Sequence, residues 1–186
     1  YLLKFDPPSN PEMSTATDVI GSHFFYALGY HVPENYIVEF PAERLVLDPK
    51  TTFIDGFGKK RRMTNQDVFE VMRGIPRTAN GNFRGTASLF LKGAPIGERR
   101  FHGTRKDDPN DIVPHEHRRD LRGLYVFCAW LGHDDSRSIN SLDMLVDDGD
   151  NRYVRHYLID FGSILGSAST KANSARSGAD YLFSWH

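Results

Sequence analysis

Cysteine is almost absent from this chain, since Cys128 is the only one among 186 residues. A single cysteine excludes an internal disulfide and a cysteine-based zinc site, and it leaves the redox compartment open. No apolar stretch approaches the roughly twenty residues that a membrane-spanning helix needs. The N-terminus shows neither a start methionine nor the pattern of a signal peptide. We therefore expect no membrane span, and the sequence assigns no compartment.

An excess of charge of one sign is also lacking. The chain carries 23 Lys and Arg against 24 Asp and Glu, which gives a formal net charge of −1. This balance provides no reason to expect a nucleic-acid partner or an anionic membrane. We interpret the local basic run 59–62 as a solvated loop. Hydrophobic residues make up 39% of the chain, which is ordinary for a globular protein, and the length suits one domain.

Periodicity and turn signals divide the chain into strands and helices. We predict strands at 1–5, 36–40, 44–47 and 86–91, with a polar connection at 49–62 and a long loop at 93–114. A first helix is predicted from Ser14 to Leu28. Its expected buried stripe comprises Ala16, Val19, Ile20, Phe24, Ala27 and Leu28.

Two further helices complete this pattern. Thr64 is predicted to cap a second helix, with Asp67 three positions on. Its expected buried stripe comprises Val68, Val71 and Met72. A third helix is predicted over 115–131, with the apolar face Leu121, Leu124, Tyr125, Cys128 and Leu131. Strands precede a helix and then a hairpin, which indicates the α+β class rather than an alternating parallel α/β fold.

A β-hairpin is predicted near the end of the chain. Residues 142–146 and 153–159 read as strands, and the Asp-, Asn- and Gly-rich segment 147–151 between them is a strong turn signal. Folding about residue 150 places Asn140 roughly opposite Asp160, to within one register step. Asp135 then lies on the loop that enters the hairpin, so three separated polar side chains are expected to converge.

The residues at this point of convergence have a recognisable spacing. Asp135 is followed by Arg137 two positions later and by Asn140 five positions later, as in a protein-kinase catalytic loop. The Asp-Phe-Gly sequence at 160–162 matches the second metal-binding motif of the same enzymes. Magnesium prefers oxygen ligands such as carboxylates and carbonyls, which suits an asparagine and an aspartate on facing strands.

With these motifs, the chain resembles the protein-kinase-like superfamily, in an atypical bacterial form close to the HipA-type and CotH-like kinases. Lys4, in Leu-Leu-Lys-Phe, is similar to the strand lysine that contacts the α- and β-phosphates of ATP. The first helix closes on Leu-Gly and is followed by a Val-Pro entry to the next strand, as in the HipA type. The third helix corresponds to the long helix before the catalytic loop.

The resemblance implies an ATP- and Mg²⁺-dependent phosphotransferase that acts on a hydroxyl acceptor, either a protein or a small molecule. The implied site residues fall into three groups: catalytic Asp135 and Arg137, nucleotide-binding Lys4 and Asp18, and magnesium-binding Asn140 and Asp160. The implied fold is a partial small lobe of strands and one helix, joined to the catalytic-loop hairpin of the large lobe. We expect one incomplete kinase-like domain, with a partial small lobe at 1–48, an insert at 49–114 and the start of the large lobe at 115–186.

The chain departs from the kinase pattern in four places. No Gly-rich loop precedes Lys4, and only residues 163–186 follow the Asp-Phe-Gly motif, so we expect a fragment cut at both ends that is inactive by itself. The helix acid that pairs with the lysine is ordinarily Glu, whereas Asp18 is the only carboxylate within this helix, nearly opposite the predicted stripe. The His-Arg before the catalytic aspartate is replaced by His133-Asp134.

Two other functional interpretations of the sequence remain open. His102, the pair His133-Asp134 and Asp160 occur in the order of an HD-type metal-dependent phosphohydrolase, and imidazole and carboxylate groups suit transition metals. That fold is all-helical, whereas Asp160 ends a predicted strand. The other alternative is a pseudokinase, a partner-binding module that retains the fold without catalysis. We interpret the cluster 115–117 (His-Glu-His) as polar capping of the third helix rather than as a metal half-site.

Overall fold

The computed structural model describes residues 1–174, so the last part of the expected large-lobe segment 115–186 lies outside the described residues. In chain order the elements are β1 (Leu2–Phe5), α1 (Met13–Ala27), β2 (Asn35–Phe40), β3 (Thr52–Ile54), β4 (Lys60–Arg62), α2 (Asn65–Arg73), β5 (Phe83–Ser88), β6 (Ala94–Gly97), α3 (Arg119–Leu131), β7 (Ser141–Asp147) and β8 (Arg152–Leu158). The molecule is therefore a mixed α and β protein with small antiparallel sheets, which agrees with the predicted α+β class. None of the helices in this part of the chain is long and apolar enough to cross a membrane.

The upper sheet has the strand order β1-β5-β2, and both pairings are antiparallel. Strand β5 comes from the segment that was predicted to be an insert, so this sheet extends beyond the expected small lobe at 1–48. Its register aligns Leu2, Ser88 and Asn35 in one cross-strand row. The apolar residues 89–91, predicted to continue the strand, instead leave the sheet and lead to β6.

The lower sheet has the order β6-β7-β8 and contains the predicted hairpin. Strands β7 and β8 pair in continuous register from Ser141 with Leu158 to Asp147 with Arg152. Strand β6 lies within the segment 93–114, which was predicted to be a loop without strands. Gly93 permits this pairing, because a Cβ there would lie 2.4 Å from the carbonyl oxygen of Leu145, at a φ of +103°.

Helix α1 buries a different face from the predicted one. Its buried residues are Thr15, Thr17, Asp18, Gly21, Ser22 and Phe25, whereas Ile20 of the predicted stripe is half exposed. This face packs against the upper sheet and against the segment that follows β8. Small side chains allow that close approach, and the polar ones find partners: Thr15 donates to Asp6, and Thr17 donates to the carbonyl oxygen of Gly162 at 3.1 Å.

The region between the first and second halves of the chain also differs from the prediction. The strand predicted at 44–47 is absent within the described residues; a short 3₁₀ turn ends at Arg44 and β3 begins only at Thr52. Helix α2 has its predicted capping box, with Thr64 and Asp67 bonded reciprocally. Its predicted buried stripe is wrong, because α2 buries no residue. Helix α2 and the β3–β4 ribbon therefore add little to the hydrophobic interior of the protein.

The main hydrophobic core joins α3 to α1 and to the segment after β8. Leu121, Leu124, Cys128 and Leu131 of α3 contribute to it as predicted, together with Phe25, Phe161 and Ile164, whereas Tyr125 is half exposed. Helix α3 begins at Arg119, after a separate 3₁₀ turn at His115–His117. His115 is buried and lies 2.8 Å from Asp111, so it anchors the preceding loop instead of capping α3.

Candidate functional site

Three of the predicted site residues meet at the junction of the two sheets. The ammonium nitrogen Nζ of Lys4, on β1, lies 2.9 Å from Oδ1 of Asp160 and 3.3 Å from Oδ2 of Asp18. Lys4 comes from the upper sheet, Asp18 from α1, and Asp160 from the end of the lower hairpin. Three elements that are distant in sequence therefore contribute one cation and two carboxylates to a single place.

Asp18 is the buried member of this group. Its Oδ1 accepts the backbone N–H of Phe161 at 2.9 Å, while Oδ2 faces Lys4 without an aligned hydrogen bond. One carboxylate thus binds both the lysine and the backbone beside Asp160. Burial raises the pKa of Asp18 above its ordinary value, and the nearby Lys4 ammonium opposes that shift. Asn35 of β2 donates to the backbone oxygen of Asp18 at 3.3 Å.

Asp160 occupies a strained position directly after β8. Its φ is +65°, in the left-handed region that residues other than glycine seldom adopt. The next residue, Phe161, is buried and stacks on Phe25, with ring centroids 5.1 Å apart and planes 18° from parallel. The packing of Phe161 and its bond to Asp18 hold this backbone turn, so the half-exposed carboxylate of Asp160 points towards Lys4.

The predicted catalytic loop forms a second group of contacts. The side-chain amide of Asn140 donates to the backbone oxygen of Asp135 at 2.7 Å, and the guanidinium of Arg137 forms an ion pair with the Asp135 carboxylate. The backbone oxygen of Asn140 accepts the N–H of Ile159 at 3.0 Å. Asn140 therefore lies opposite Ile159, one residue before Asp160, within the register step that was predicted.

His133, just before this loop, has a structural position that the sequence did not reveal. It is buried, its Nδ1 lies 3.2 Å from the backbone oxygen of Ser163, and burial lowers its pKa below the ordinary 6.5. The ring also packs 6.0 Å from that of Phe161. His133 thus connects the loop before Asp135 to the segment after Asp160, and a neutral imidazole suits that buried position.

An apolar cavity of about 440 Å³ opens between the two sheets beside Lys4 and Asp160. Leu2 and Ser88 contribute from the upper sheet, and the connection 89–91 closes one side. The lower sheet contributes Leu142 and Met144, and Ile159 lines the cavity directly after β8. Apolar walls with a few charged groups at one end are typical of small-molecule sites. A cavity of similar volume on the outer face of the upper sheet lies away from these charged groups.

Sequence reasoning missed the residues that form this cavity. The run 86–91 was read as one uninterrupted strand, although only residues up to Ser88 are paired. A signal was present, because an apolar run that continues to a glycine and a proline, Gly93 and Pro95, is typical of a strand that ends and changes direction. Leu142 and Met144 were predicted to lie on a hairpin strand, but the sequence analysis did not predict that they line a cavity.

The hairpin is also held from its other side. Asp143 of β7 is fully buried and bonds to His156 at 2.5 Å and to Arg105 at 2.8 Å. Burial opposes ionisation of Asp143, but the hydrogen bond from His156 and the charge of Arg105 outweigh it and lower its pKa. Arg105 belongs to the long loop after β6, which therefore anchors the strand that leads out of the predicted catalytic loop.

Asn140 and Asp160 are the residues that would hold the expected magnesium ion. Across residues 1–174, no three His, Cys, Asp or Glu side chains cluster in a way that could hold a metal ion alone. The residues of the HD-type alternative, His102, His133, Asp134 and Asp160, therefore do not come together as such a cluster in this part of the chain. Magnesium usually takes one or two protein oxygens and completes its shell with phosphates and water, so the side chains of Asp160 and Asn140 would be sufficient in number.

Comparisons of the chain with protein-family models, with curated proteins and with solved structures found no match. The site is therefore interpreted from its own geometry. That geometry places a cation, two carboxylates and an apolar cavity at one junction, and it connects them to the Asp135 loop through the bond between Asn140 and Ile159.

Proposed function

We propose that this protein is an ATP- and Mg²⁺-dependent phosphotransferase of the kinase-like type, which transfers the γ-phosphoryl group to a hydroxyl acceptor. The contact of Lys4 with Asp160 and Asp18 at the mouth of the apolar cavity is the single observation that carries this proposal. Phosphoryl transfer needs a site for the base, a cation for the phosphates and carboxylates for magnesium. Here an apolar cavity, an ammonium group and two carboxylates lie side by side, which supports the proposal.

The cavity and Lys4 bind the nucleotide in this proposal. The apolar walls from Leu2, Leu142 and Met144 accept the flat face of the base and exclude water from it. The ammonium group of Lys4 has three N–H donors. One of them is bonded to Oδ1 of Asp160, and the ammonium charge also faces Asp18 at 3.3 Å. The remaining donors are available to a phosphate oxygen, and the two carboxylates hold the lysine at the cavity for that contact.

Asp160 and Asn140 bind the metal in this proposal. Bound magnesium would neutralise charge on the β- and γ-phosphates. Lys4 contacts Oδ1 of Asp160, which leaves Oδ2 as the ligand. The side-chain nitrogen of Asn140 is held by the backbone of Asp135, which directs its amide oxygen away from that bond. The backbone bond between Asn140 and Ile159 keeps the two ligands on neighbouring positions of the hairpin.

Asp135 is the base in the proposed reaction, and Arg137 steadies the transferring group. Asp135 accepts the proton of the acceptor hydroxyl, whose oxygen forms a bond to the γ-phosphorus. The bond from that phosphorus to the bridging oxygen breaks, and ADP leaves with the electron pair. Arg137 forms an ion pair with Asp135 in the absence of substrate. As the γ-phosphoryl group enters, the N–H groups of the planar guanidinium can donate to a phosphate oxygen instead.

The ion pair between Arg137 and Asp135 also favours a second candidate function, a nucleotide-binding module without catalysis. If that pair persists when nucleotide is bound, the carboxylate stays engaged and no base is available. In this alternative the protein binds Mg²⁺-ATP but transfers no phosphoryl group. The two functions therefore share the nucleotide site and differ only at the Asp135 loop.

Calorimetric titration with Mg²⁺-ATP, followed by a phosphoryl-transfer assay on the full-length protein, tests the proposal. We expect binding and transfer in the wild type and loss of transfer in Asp160→Ala, with the fold retained because this side chain is half exposed. Asp150→Ala, in the exposed tip of the β7–β8 turn, is the matched control and should behave as wild type. Binding without transfer would select the non-catalytic module, and no binding would refute both.

A further inference from the structure

Helix α1 contacts Phe161 and Gly162, the two residues that follow Asp160. Thr17 donates to the backbone oxygen of Gly162 at 3.1 Å, and Asp18 accepts the N–H of Phe161 at 2.9 Å. Gly21 lies one helical turn after these residues on the same buried face. A Cβ built on Gly21 would lie 2.5 Å from the Cβ of Phe161 and 2.8 Å from Cδ1 of Ile164.

This contact explains a glycine in the middle of a helix. Glycine is a poor helix former, and alanine at an interior helical position is normally more favourable. Carbon atoms in van der Waals contact stand about 3.5–4.0 Å apart, so a methyl group at Gly21 overlaps Phe161 by about 1 Å. Cβ of Phe161 is rigidly attached to the backbone, and no side-chain rotation relieves the overlap.

We propose that Gly21 is a positioning residue for the Asp160 carboxylate, and this inference rests on the proposed function. Asp18 and Gly21 hold Phe161 from two successive turns of α1, by a hydrogen bond and by close packing. Phe161 follows Asp160 in the chain. The left-handed φ of +65° at Asp160 leaves its backbone little freedom to absorb a shift of Phe161. A methyl group at position 21 therefore displaces Asp160 from its contact with Lys4 and from the metal position.

Gly123→Ala provides a matched control in the middle of α3. A Cβ there would meet only the hydroxyl oxygen of Tyr30, at 3.3 Å; that oxygen donates to the backbone oxygen of Asp120 at 2.7 Å and lies at the far end of its side chain. The two variants make the same chemical change in the interior of two helices. They differ in whether the added methyl group meets Cβ of Phe161, the residue that follows Asp160.

The test compares ADP binding with and without Mg²⁺, by calorimetry, in wild type, Gly21→Ala, Gly123→Ala and Asp160→Ala. We expect Gly21→Ala to keep its metal-free ADP affinity within about twofold but to lose most of the Mg²⁺-dependent gain, as Asp160→Ala does. A misplacement of about 1 Å can cost on the order of 10²-fold in rate, so the phosphoryl-transfer rate should fall by about that factor. Gly123→Ala should match wild type in both measurements.

The outcomes separate this inference from the proposed function. A wild-type protein without Mg²⁺-dependent ADP binding would refute the proposed function and this inference with it. If the Mg²⁺-dependent gain in ADP affinity is normal in Gly21→Ala but lost in Asp160→Ala, the role of Gly21 is refuted and the proposed function is not. If Gly21→Ala loses metal-free binding and thermal stability in parallel, its role is in folding and the positioning role is wrong. Thermal unfolding curves of all four proteins make that distinction.

Discussion

Lys4 and Asp160 form an ion pair, 2.9 Å between Nζ and Oδ1, across a sequence separation of 156 residues. The pair joins the first strand of the upper sheet to the end of the lower hairpin. Asp18 is the third member, and it connects the pair to the buried face of α1. Because one cation serves two carboxylates, changing any one of the three side chains alters the environment of the other two.

Replacing Lys4 tests the nucleotide contact. Lys4→Met keeps the length and apolar stem of the side chain but removes the charge that faces the phosphates in the proposed function. A hydrogen bond to a charged group contributes about 1.5–3 kcal/mol, so ATP affinity should fall roughly 10- to 100-fold, measured by calorimetry. Lys59→Met, at an exposed position before β4, is the control. Equal affinities in the two variants would show that Lys4 does not contact the nucleotide.

The adjacent aspartates of the catalytic loop should differ sharply. Only Asp135 has the predicted spacing to Arg137 and Asn140, and its backbone oxygen accepts the Asn140 amide, whereas the side chain of Asp134 lies 3.3 Å from Asn173. Losing a positioned base costs about 10²–10⁴-fold in rate, so Asp135→Asn should lower kcat by that factor with KM for ATP little changed. Asp134→Asn should have a far smaller effect. The opposite ranking would show that the loop is aligned wrongly.

The lower wall of the cavity can be tested by truncation on one strand. Leu142 lines the cavity, whereas Leu145, three residues on, points to the opposite face of β7. Burial of each methylene contributes about 0.8 kcal/mol, and with partial contact to the base Leu142→Ala should weaken ATP binding about tenfold. Leu145→Ala makes the same change and should leave the ATP affinity at the wild-type value. Equal losses would place the base elsewhere.

The burial of Asp18 predicts a particular pH dependence of stability. Its pKa is raised above the ordinary 3.8 by burial, so the folded state binds the proton more tightly than the unfolded chain does. This contribution to stability is fully present below 3.8 and is lost as the pH rises through the raised pKa of the folded state.

Thermal unfolding of wild type and Asp18→Asn across this pH range measures the effect. The asparagine can still accept the Phe161 N–H through its amide oxygen but carries no charge. We expect the melting temperature of the variant, relative to that of the wild type, to increase as the pH rises above 3.8. Melting curves that stay parallel across the range would show that ionisation of Asp18 is not costly in the folded state.

Several elements were determined by short stretches of sequence. The Thr64–Asp67 capping box and the β7–β8 hairpin around its Asp- and Gly-rich turn formed as predicted. Each depends on contacts between residues close in the chain, where turn chemistry and capping geometry act directly. The register of this hairpin also allowed the position of Asn140 opposite Asp160 to be predicted to within one residue.

Only the tertiary structure decided which face of α1 is buried and what the strands enclose. Periodicity selected the most apolar stripe, including Ile20, but the helix instead turns Asp18 and Gly21 inward. That choice depends on contacts with Lys4 and Phe161, which lie on other elements and, for Phe161, far along the chain. The cavity likewise arises where two sheets meet. Local sequence specifies helices, caps and turns, whereas the approach of distant backbones specifies which small and charged residues form the site.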